Sequence, residues 1–132
     1  MKNSILISIC LMAVFFLAGT TSVTAQWSFD ADWDDGDCSC GAIASKDLQW
    51  EIRKISDNSL FDSGNLDITS LSPPQTIEGN DTPEEDEQYK ICIKVYYYDA
   101  SVDPLCCQGD KCENTDTAGL LGGSVTVLAT MY

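Results

Sequence analysis

The chain has 132 residues, carries 21 acidic against seven basic side chains and no histidine, and has a formal net charge of −14. A chain of this length holds one domain and buries a modest core, and so acidic a surface repels nucleic acid and anionic lipid head groups. The absent imidazole removes the usual base of catalysis near neutral pH.

Residues Met1 to Ala25 read as a secretory signal peptide. Lys2 supplies the charged start, Ile5 to Ala18 is an almost unbroken apolar run, and Val23-Thr24-Ala25 is a small-residue cleavage site. The run of about 14 residues is shorter than the roughly 20 that span a bilayer. Cleavage makes Gln26 the new N-terminus and directs the chain to the periplasm or the extracellular space, with no membrane span in the mature form. Removing 25 residues from 132 leaves 107, with six basic and 21 acidic side chains and a formal charge of −15. Cys10 sits inside the apolar run after a bulky Ile9, unlike a lipid-attachment cysteine, and leaves with the signal. Cys38, Cys40, Cys92, Cys106, Cys107 and Cys112 remain. An even number in an exported chain argues for disulfides throughout residues 26–132, which are expected to form a single domain.

Trp27 to Trp33 alternates apolar and polar residues, so Trp27, Phe29, Ala31 and Trp33 share one face of an extended segment. Asp34-Asp35-Gly36-Asp37 ends that pattern, and Cys38-Ser39-Cys40-Gly41 continues the loop. A second strand is predicted over Leu48 to Ile55, with Leu48, Trp50 and Ile52 on one face and Gln49, Glu51 and Arg53 on the other. Ser56 to Ser59 turns, Leu60-Phe61 begins a short return strand, and Asp62-Ser63-Gly64-Asn65 is rich enough in turn formers to end it. Leu66 to Leu71 shows a weaker alternation, closed by Ser72-Pro73-Pro74. Gly79 to Glu87 is the longest polar tract and reads as a solvated loop, because Glu84 to Glu87 repel one another. Gln88 to Tyr98 is the clearest strand, with Ile91, Ile93, Val95 and Tyr97 facing the core and Cys92, Tyr96 and Tyr98 facing away. Asp99 to Gly123 reads as turn-rich, and Ser124 to Tyr132 alternates again, with Val125, Val127, Ala129 and Met131 on one side. Short strands without helical periodicity predict an all-β fold, a small antiparallel β-sandwich of the Ig-like or Greek-key type.

Parity puts Cys92 on the outer face of its strand, so its partner must reach it there. The Cys38-Ser39-Cys40 loop and the Cys106 to Cys112 segment are the candidates, and six cysteines allow fifteen pairings. Adjacent Cys106 and Cys107 point to different partners; the preferred arrangement links the N-terminal pair to the C-terminal segment. A thiolate metal site is the competing reading, disfavoured by the lack of histidine and by export.

Three further groups are candidates for binding. Asp30, Asp32, Asp34, Asp35 and Asp37 offer closely spaced carboxylates of the kind calcium takes, with Asp99, Asp103 and Asp110 as further donors to a loop site. As an EF-hand they fail, with Asp35 where glycine is required and Gly41 where a bidentate glutamate belongs. The plainer reading is a solvated acidic loop. Trp27, Phe29, Trp33, Tyr96 and Tyr98 are the candidate contact aromatics, although internal packing is the favoured reading for each taken singly. Asn80-Asp81-Thr82 matches a glycosylation acceptor, followed directly by Pro83. No catalytic set stands out: the serines lie mostly in turns, and the Gly119 to Gly123 run lacks the lysine of a phosphate loop.

The leading expectation is a secreted, non-catalytic structural or binding module, such as an adhesive domain or a subunit of an extracellular assembly. Its partner would be another protein or a second copy, and it needs no cofactor. The Trp27 to Trp33 arm is suited to strand addition between chains, although pairing within one domain needs no partner. A calcium-dependent binding module, with carbohydrate among its ligands, is the alternative; a small hydrolase using paired carboxylates ranks below it.

Overall fold

The computed structural model describes residues 25–100 and 105–132. The signal-peptide reading, Cys10 included, falls on residues 1–25 and so lies outside the described residues except for Ala25. Seven strands and one short helix follow in the order β1 (Trp27–Asp34), β2 (Ile43–Lys54), β3 (Leu60–Asp67), β4 (Gln75–Gly79), β5 (Gln88–Asp99), β6 (Leu105–Asp116), α1 (Thr117–Gly122) and β7 (Thr126–Thr130). They form two packed sheets, a small one ordered β4-β1-β7 and a larger one ordered β3-β2-β5-β6. The all-β sandwich inferred from alternation is the observed architecture. One ladder departs from the antiparallel expectation: β7 lies parallel to β1, with Asp30 opposite Thr126 and Asp34 opposite Thr130.

Alternation builds the core, because successive strand residues face opposite sides of a sheet. The inner face of β1 contributes Trp27, Phe29, Ala31 and Trp33, all buried, and β7 adds Val127 and Ala129. Opposite them stand Leu48 and Ile52 of β2 with Ile91, Ile93 and Val95 of β5. Each large apolar side chain so buried is worth about 1.5–3 kcal/mol before conformational entropy is counted. At one end, rings from both sheets meet edge to face: Trp27 and Trp50 have centroids 5.5 Å apart, and Phe61 and Tyr89 lie at 5.2 Å. Among the described residues, no polar or charged side chain other than the buried tyrosines and Trp27 is fully buried.

Several segments differ from the sequence reading, the first being β2, which begins at Ile43 rather than Leu48. The turn expected at Asp62 to Asn65 is absent, and β3 runs through it, paired residue by residue with β2 from Asp62 to Asp67. Gly64 fits there because the Trp50 indole lies over it; a Cβ would sit 2.8 Å from that ring. Leu66 therefore belongs to β3 rather than to a separate third alternation. The segment read as turn-rich from Asp99 to Gly123 contains the twelve-residue strand β6, which pairs with β5 over its whole length, from Gln88 opposite Asp116 to Tyr98 opposite Leu105. Its polar, glycine-containing sequence shows little periodicity of its own; the β5 template and three cysteines hold it extended. Helix α1 then starts at Asp116, whose carboxylate accepts from the Gly119 N–H at 2.8 Å, and stops at Gly123, with φ of 61°.

The three disulfides are Cys38–Cys107, Cys40–Cys106 and Cys92–Cys112. The preferred linkage of the N-terminal pair to the C-terminal segment is the one found, ending on a strand where a loop was expected. Cys92 lies on the outer face, directly opposite Cys112 on the neighbouring strand. The chain's last residues join the two sheets. Met131 donates its N–H to the Asp34 carbonyl at 3.0 Å, while Gln108 and Tyr132 exchange both backbone hydrogen bonds, at 3.2 and 2.9 Å.

Candidate functional site

Pairing register turns the outer face of the larger sheet into a grid. Three cross-strand rows run from β3 through β2 and β5 to β6: Ser63–Glu51–Cys92–Cys112, Asn65–Gln49–Lys94–Asp110, and Asp67–Asp47–Tyr96–Gln108. Strand geometry separates rows by roughly 7 Å and neighbouring positions within a row by about 5 Å. The covalent bridge Cys92–Cys112 ties the first row together. Two shallow depressions open on this grid. One, of about 260 Å³, is lined by Gln49, Glu51, Ser63, Asn65, Cys92 and Lys94, with Trp50 and Gly64 at its floor. The other, of about 250 Å³, is lined by Lys94, Tyr96, Gln108, Gly109, Asp110 and Tyr132. Lys94 is common to both.

The polar groups of this face fall into two sets. Three of its carboxylates are engaged: Glu51 pairs with Arg53 at 3.2 Å, Asp67 accepts from the Thr69 hydroxyl and N–H, and Asp110 accepts from the Tyr132 hydroxyl at 3.4 Å. The Thr69 bonds hold the Asp67 carboxyl below its ordinary pKa. By contrast, the side-chain amides of Gln49, Asn65 and Gln108 and the ammonium of Lys94 make no hydrogen bond or ion pair among the described residues. Aromatic surface lies beside them. Tyr96 and Tyr98 are half-buried, with ring centroids 6.4 Å apart and planes 29° from parallel, and Tyr132 is 67% exposed.

The other candidates from the sequence are placed elsewhere. Trp27, Phe29 and Trp33 belong to the core between the sheets, so they offer no exposed contact surface in this chain. The aspartate cluster is dispersed by strand geometry. Asp30, Asp32 and Asp34 project from alternate positions of β1, so neighbouring members start roughly 7 Å apart. Asp30 accepts from the Thr76 hydroxyl at 2.7 Å, Asp32 from the Trp33 N–H at 2.9 Å and Asp34 from the Gly36 N–H at 2.6 Å. Asp35 turns away to the Tyr97 hydroxyl at 2.6 Å. Among the described residues, no three carboxylates gather as one ligand set; the one group of metal-ligating type is Cys38, Cys40 and Cys107. Its sulfurs are all tied in disulfides, and a disulfide sulfur is not the thiolate that binds a metal. Of the three further calcium donors considered, Asp99 accepts from the Ala42 N–H at 3.4 Å, Asp103 lies outside the described residues, and Asp110 belongs to the grid.

The grouping of Gln49, Asn65, Lys94, Gln108 and Tyr132 does not emerge from the sequence. Parity alone puts Lys94 and Tyr96 with Cys92, but the flanking columns come from β3 and β6, both of which carry turn-forming residues that hide their strand character. No protein-family model matches the chain, and neither a curated protein nor a solved structure does.

Proposed function

We propose that this protein is a non-catalytic binding module of an oxidising, extracytoplasmic compartment, and that it makes contact through the outer face of its larger sheet. The observation that carries this reading is the disulfide-tied grid, where unengaged amides and an ammonium adjoin paired tyrosines. Half-buried tyrosines provide contact area at small entropic cost, and a sheet crossed by a disulfide holds them in place before binding. Three disulfides support an oxidising location. The absence of histidine supports a module that binds without catalysing. Assembly through an N-terminal strand arm is not the favoured form of this reading, because β1 is the central strand of its own sheet.

The test uses the exported, oxidised protein and the insoluble cell-wall and matrix material of the producing organism. Retention should saturate with concentration, and Tyr96→Ala with Tyr98→Ala should weaken it at least tenfold while the melting temperature stays within a few degrees. Equal retention of the double variant, or no saturable retention of the native protein, would remove the proposal.

A further inference from the structure

Resting on that assignment of the contact face, we infer that its ligand is a neutral, hydroxyl-rich glycan, with neighbouring sugar units seated on either side of Lys94. The argument begins with what the backbone has left to offer. Strands β2 and β5 are paired on both sides, so their N–H and C=O groups are consumed by the ladders. An extended peptide bound by strand addition needs a free edge, whereas both depressions lie on the face. Recognition must therefore come from side chains.

The side chains of the three rows without a partner among the described residues are three amides, the Lys94 ammonium, the Asp47 carboxylate and the Ser63 and Tyr96 hydroxyls, and the amides are the most numerous kind. A side-chain amide holds a donor and an acceptor in one plane, and a hydroxyl is both donor and acceptor. Vicinal hydroxyls therefore match an amide in a way that a phosphate or carboxylate, which only accepts at neutral pH, does not. Gln49 and Asn65 are direct cross-strand neighbours in one depression, and Gln108 lines the other, so each depression holds at least one such group. The Lys94 ammonium between them can donate to ring or hydroxyl oxygens on both sides.

Charge narrows the class further. On this face Arg53 neutralises Glu51 and Lys90 stands beside Arg53, but Asp47, Asp67 and Asp110 surround Lys94 across the rows and the whole chain is strongly acidic. Anionic glycans are repelled. A basic protein would seek several carboxylates, but Glu51, Asp67 and Asp110 already have partners and only Asp47 is left. Tyr96 beside the second depression and Tyr132 at its rim supply ring surface for the apolar C–H face of a sugar. Each depression is smaller than the usual enclosed ligand pocket of about 300–1,000 Å³ and is open to solvent, which suits consecutive units of a chain better than one enclosed small molecule.

The experiment titrates the exported, oxidised protein with hexasaccharides of glucose, xylose, mannose and N-acetylglucosamine, and with heparin and polygalacturonate oligosaccharides, read by amide chemical shifts. At least one neutral oligosaccharide should give saturable shifts centred on Gln49, Lys94 and Gln108. Gln49→Ala with Asn65→Ala should raise its dissociation constant at least fivefold, Tyr96→Ala at least tenfold, and Asp32→Asn on the other sheet should leave it unchanged. Gln108→Ala serves as an independent probe should the Tyr96 variant misfold. Stronger shifts with the anionic oligosaccharides, or none with the neutral ones, overturn the glycan assignment. If the matrix retention described above persists but is abolished by protease treatment of the matrix, the glycan fails and the contact face survives. If neither shifts nor retention occur, both fall.

Discussion

Asp30, Asp32 and Asp34 of β1 and Glu78 of β4 stand on the small sheet without a basic residue in any of its three strands, whereas Lys46, Arg53, Lys54, Lys90, Lys94 and Lys111 all lie on β2, β5 and β6. The two sheets thus divide the chain's charge while sharing one core. On the larger sheet Glu51 and Glu113 find the cations Arg53 and Lys111, and Lys54 reaches Glu84 of the loop before β5, while Asp67 and Asp110 accept from hydroxyls. On the smaller, acids are satisfied by hydroxyl and backbone donors, which quench hydrogen-bonding demand without cancelling charge. The small sheet therefore carries uncompensated negative charge, while the large one mixes ion pairs with unpartnered polar groups.

The largest effect separates inner faces from outer ones. Phe29→Ala, on the buried side of β1, should cost about 3–5 kcal/mol in urea denaturation. Tyr98→Ala, on the outer face of β5, should cost less than about 1 kcal/mol. Deleting Trp27 to Trp33 removes the strand between β4 and β7 and should leave no cooperative transition. A folded deletion product would mean that the small sheet is an appendage and would revive the strand-arm assembly.

Much of this division is legible in the amino-acid sequence. The parity of Trp27 to Trp33, of Gln88 to Tyr98 and of Val125 to Met131 identifies inner residues correctly because each strand buries one face and solvates the other. The small sheet is the less legible of the two as a sheet. Gln75 to Gly79 has one buried apolar residue, Ile77, and so shows no alternation to detect. Nothing in Ser124 to Tyr132 states that it runs parallel to β1. On the larger sheet, Gly64, Gly109 and the asparagines of β3 and β6 obey pairing with a neighbour rather than their own turn preference, as edge positions commonly do. The outer-face grid is hidden for the same reason, since two of its four columns are those strands.

The disulfides sharpen the comparison at the end where the small sheet's β1 leads into the large sheet. Cys38–Cys107 and Cys40–Cys106 close chain separations of 69 and 66 residues and lie side by side, with Cys40 and Cys107 sulfurs 3.4 Å apart. Either bridge alone closes almost the same loop, so the second adds little further restriction of the unfolded chain. Replacing both pairs by alanine should cost about 4 kcal/mol, and replacing either one well under half of that. Cys92–Cys112 closes a separate separation of 20 residues and should cost about 3 kcal/mol when replaced. Additive losses from the parallel pair, measured by chemical denaturation, would show that each bridge holds a different part of the structure.

Alkaline pH tests both ends of the core, Tyr89 at one and Tyr97 at the other. Burial, and then the hydrogen bond to Asp35, push the Tyr97 hydroxyl well above its ordinary value of 10; burial likewise raises Tyr89. A folded pKa above the unfolded one means that the contribution is fully present below pH 10 and is lost as pH rises beyond it toward the folded value. Stability should therefore fall above pH 10, and ultraviolet titration should show two tyrosines ionising together with unfolding. Tyr97→Phe should flatten the fall. If all tyrosines titrate near pH 10 while the protein stays folded, the Asp35 bond does not hold in solution.

The smallest effect sets the two outer faces directly against each other. Asp32 lies between Asp30 and Asp34 on a strand with no basic neighbour in its sheet, so its charge adds repulsion that its own hydrogen bond to the Trp33 N–H does not remove. Asp32→Asn keeps an acceptor oxygen and removes that repulsion, and should stabilise by a few tenths of a kcal/mol. Glu51→Gln breaks the pair with Arg53 on the larger sheet and should destabilise by a similar few tenths, the usual worth of an exposed pair. Both effects are Coulombic between exposed groups, so both should shrink as salt rises toward 1 M, where screening acts within about 3 Å. Salt alone should then raise the melting temperature of the native chain, because net repulsion outweighs the exposed ion pairs. Destabilisation by Asp32→Asn at low salt would mean that its hydrogen bond outweighs its charge. The acids of β1 would then hold their strand in place rather than keep other molecules away, and the contrast between the two faces would rest on the larger sheet alone.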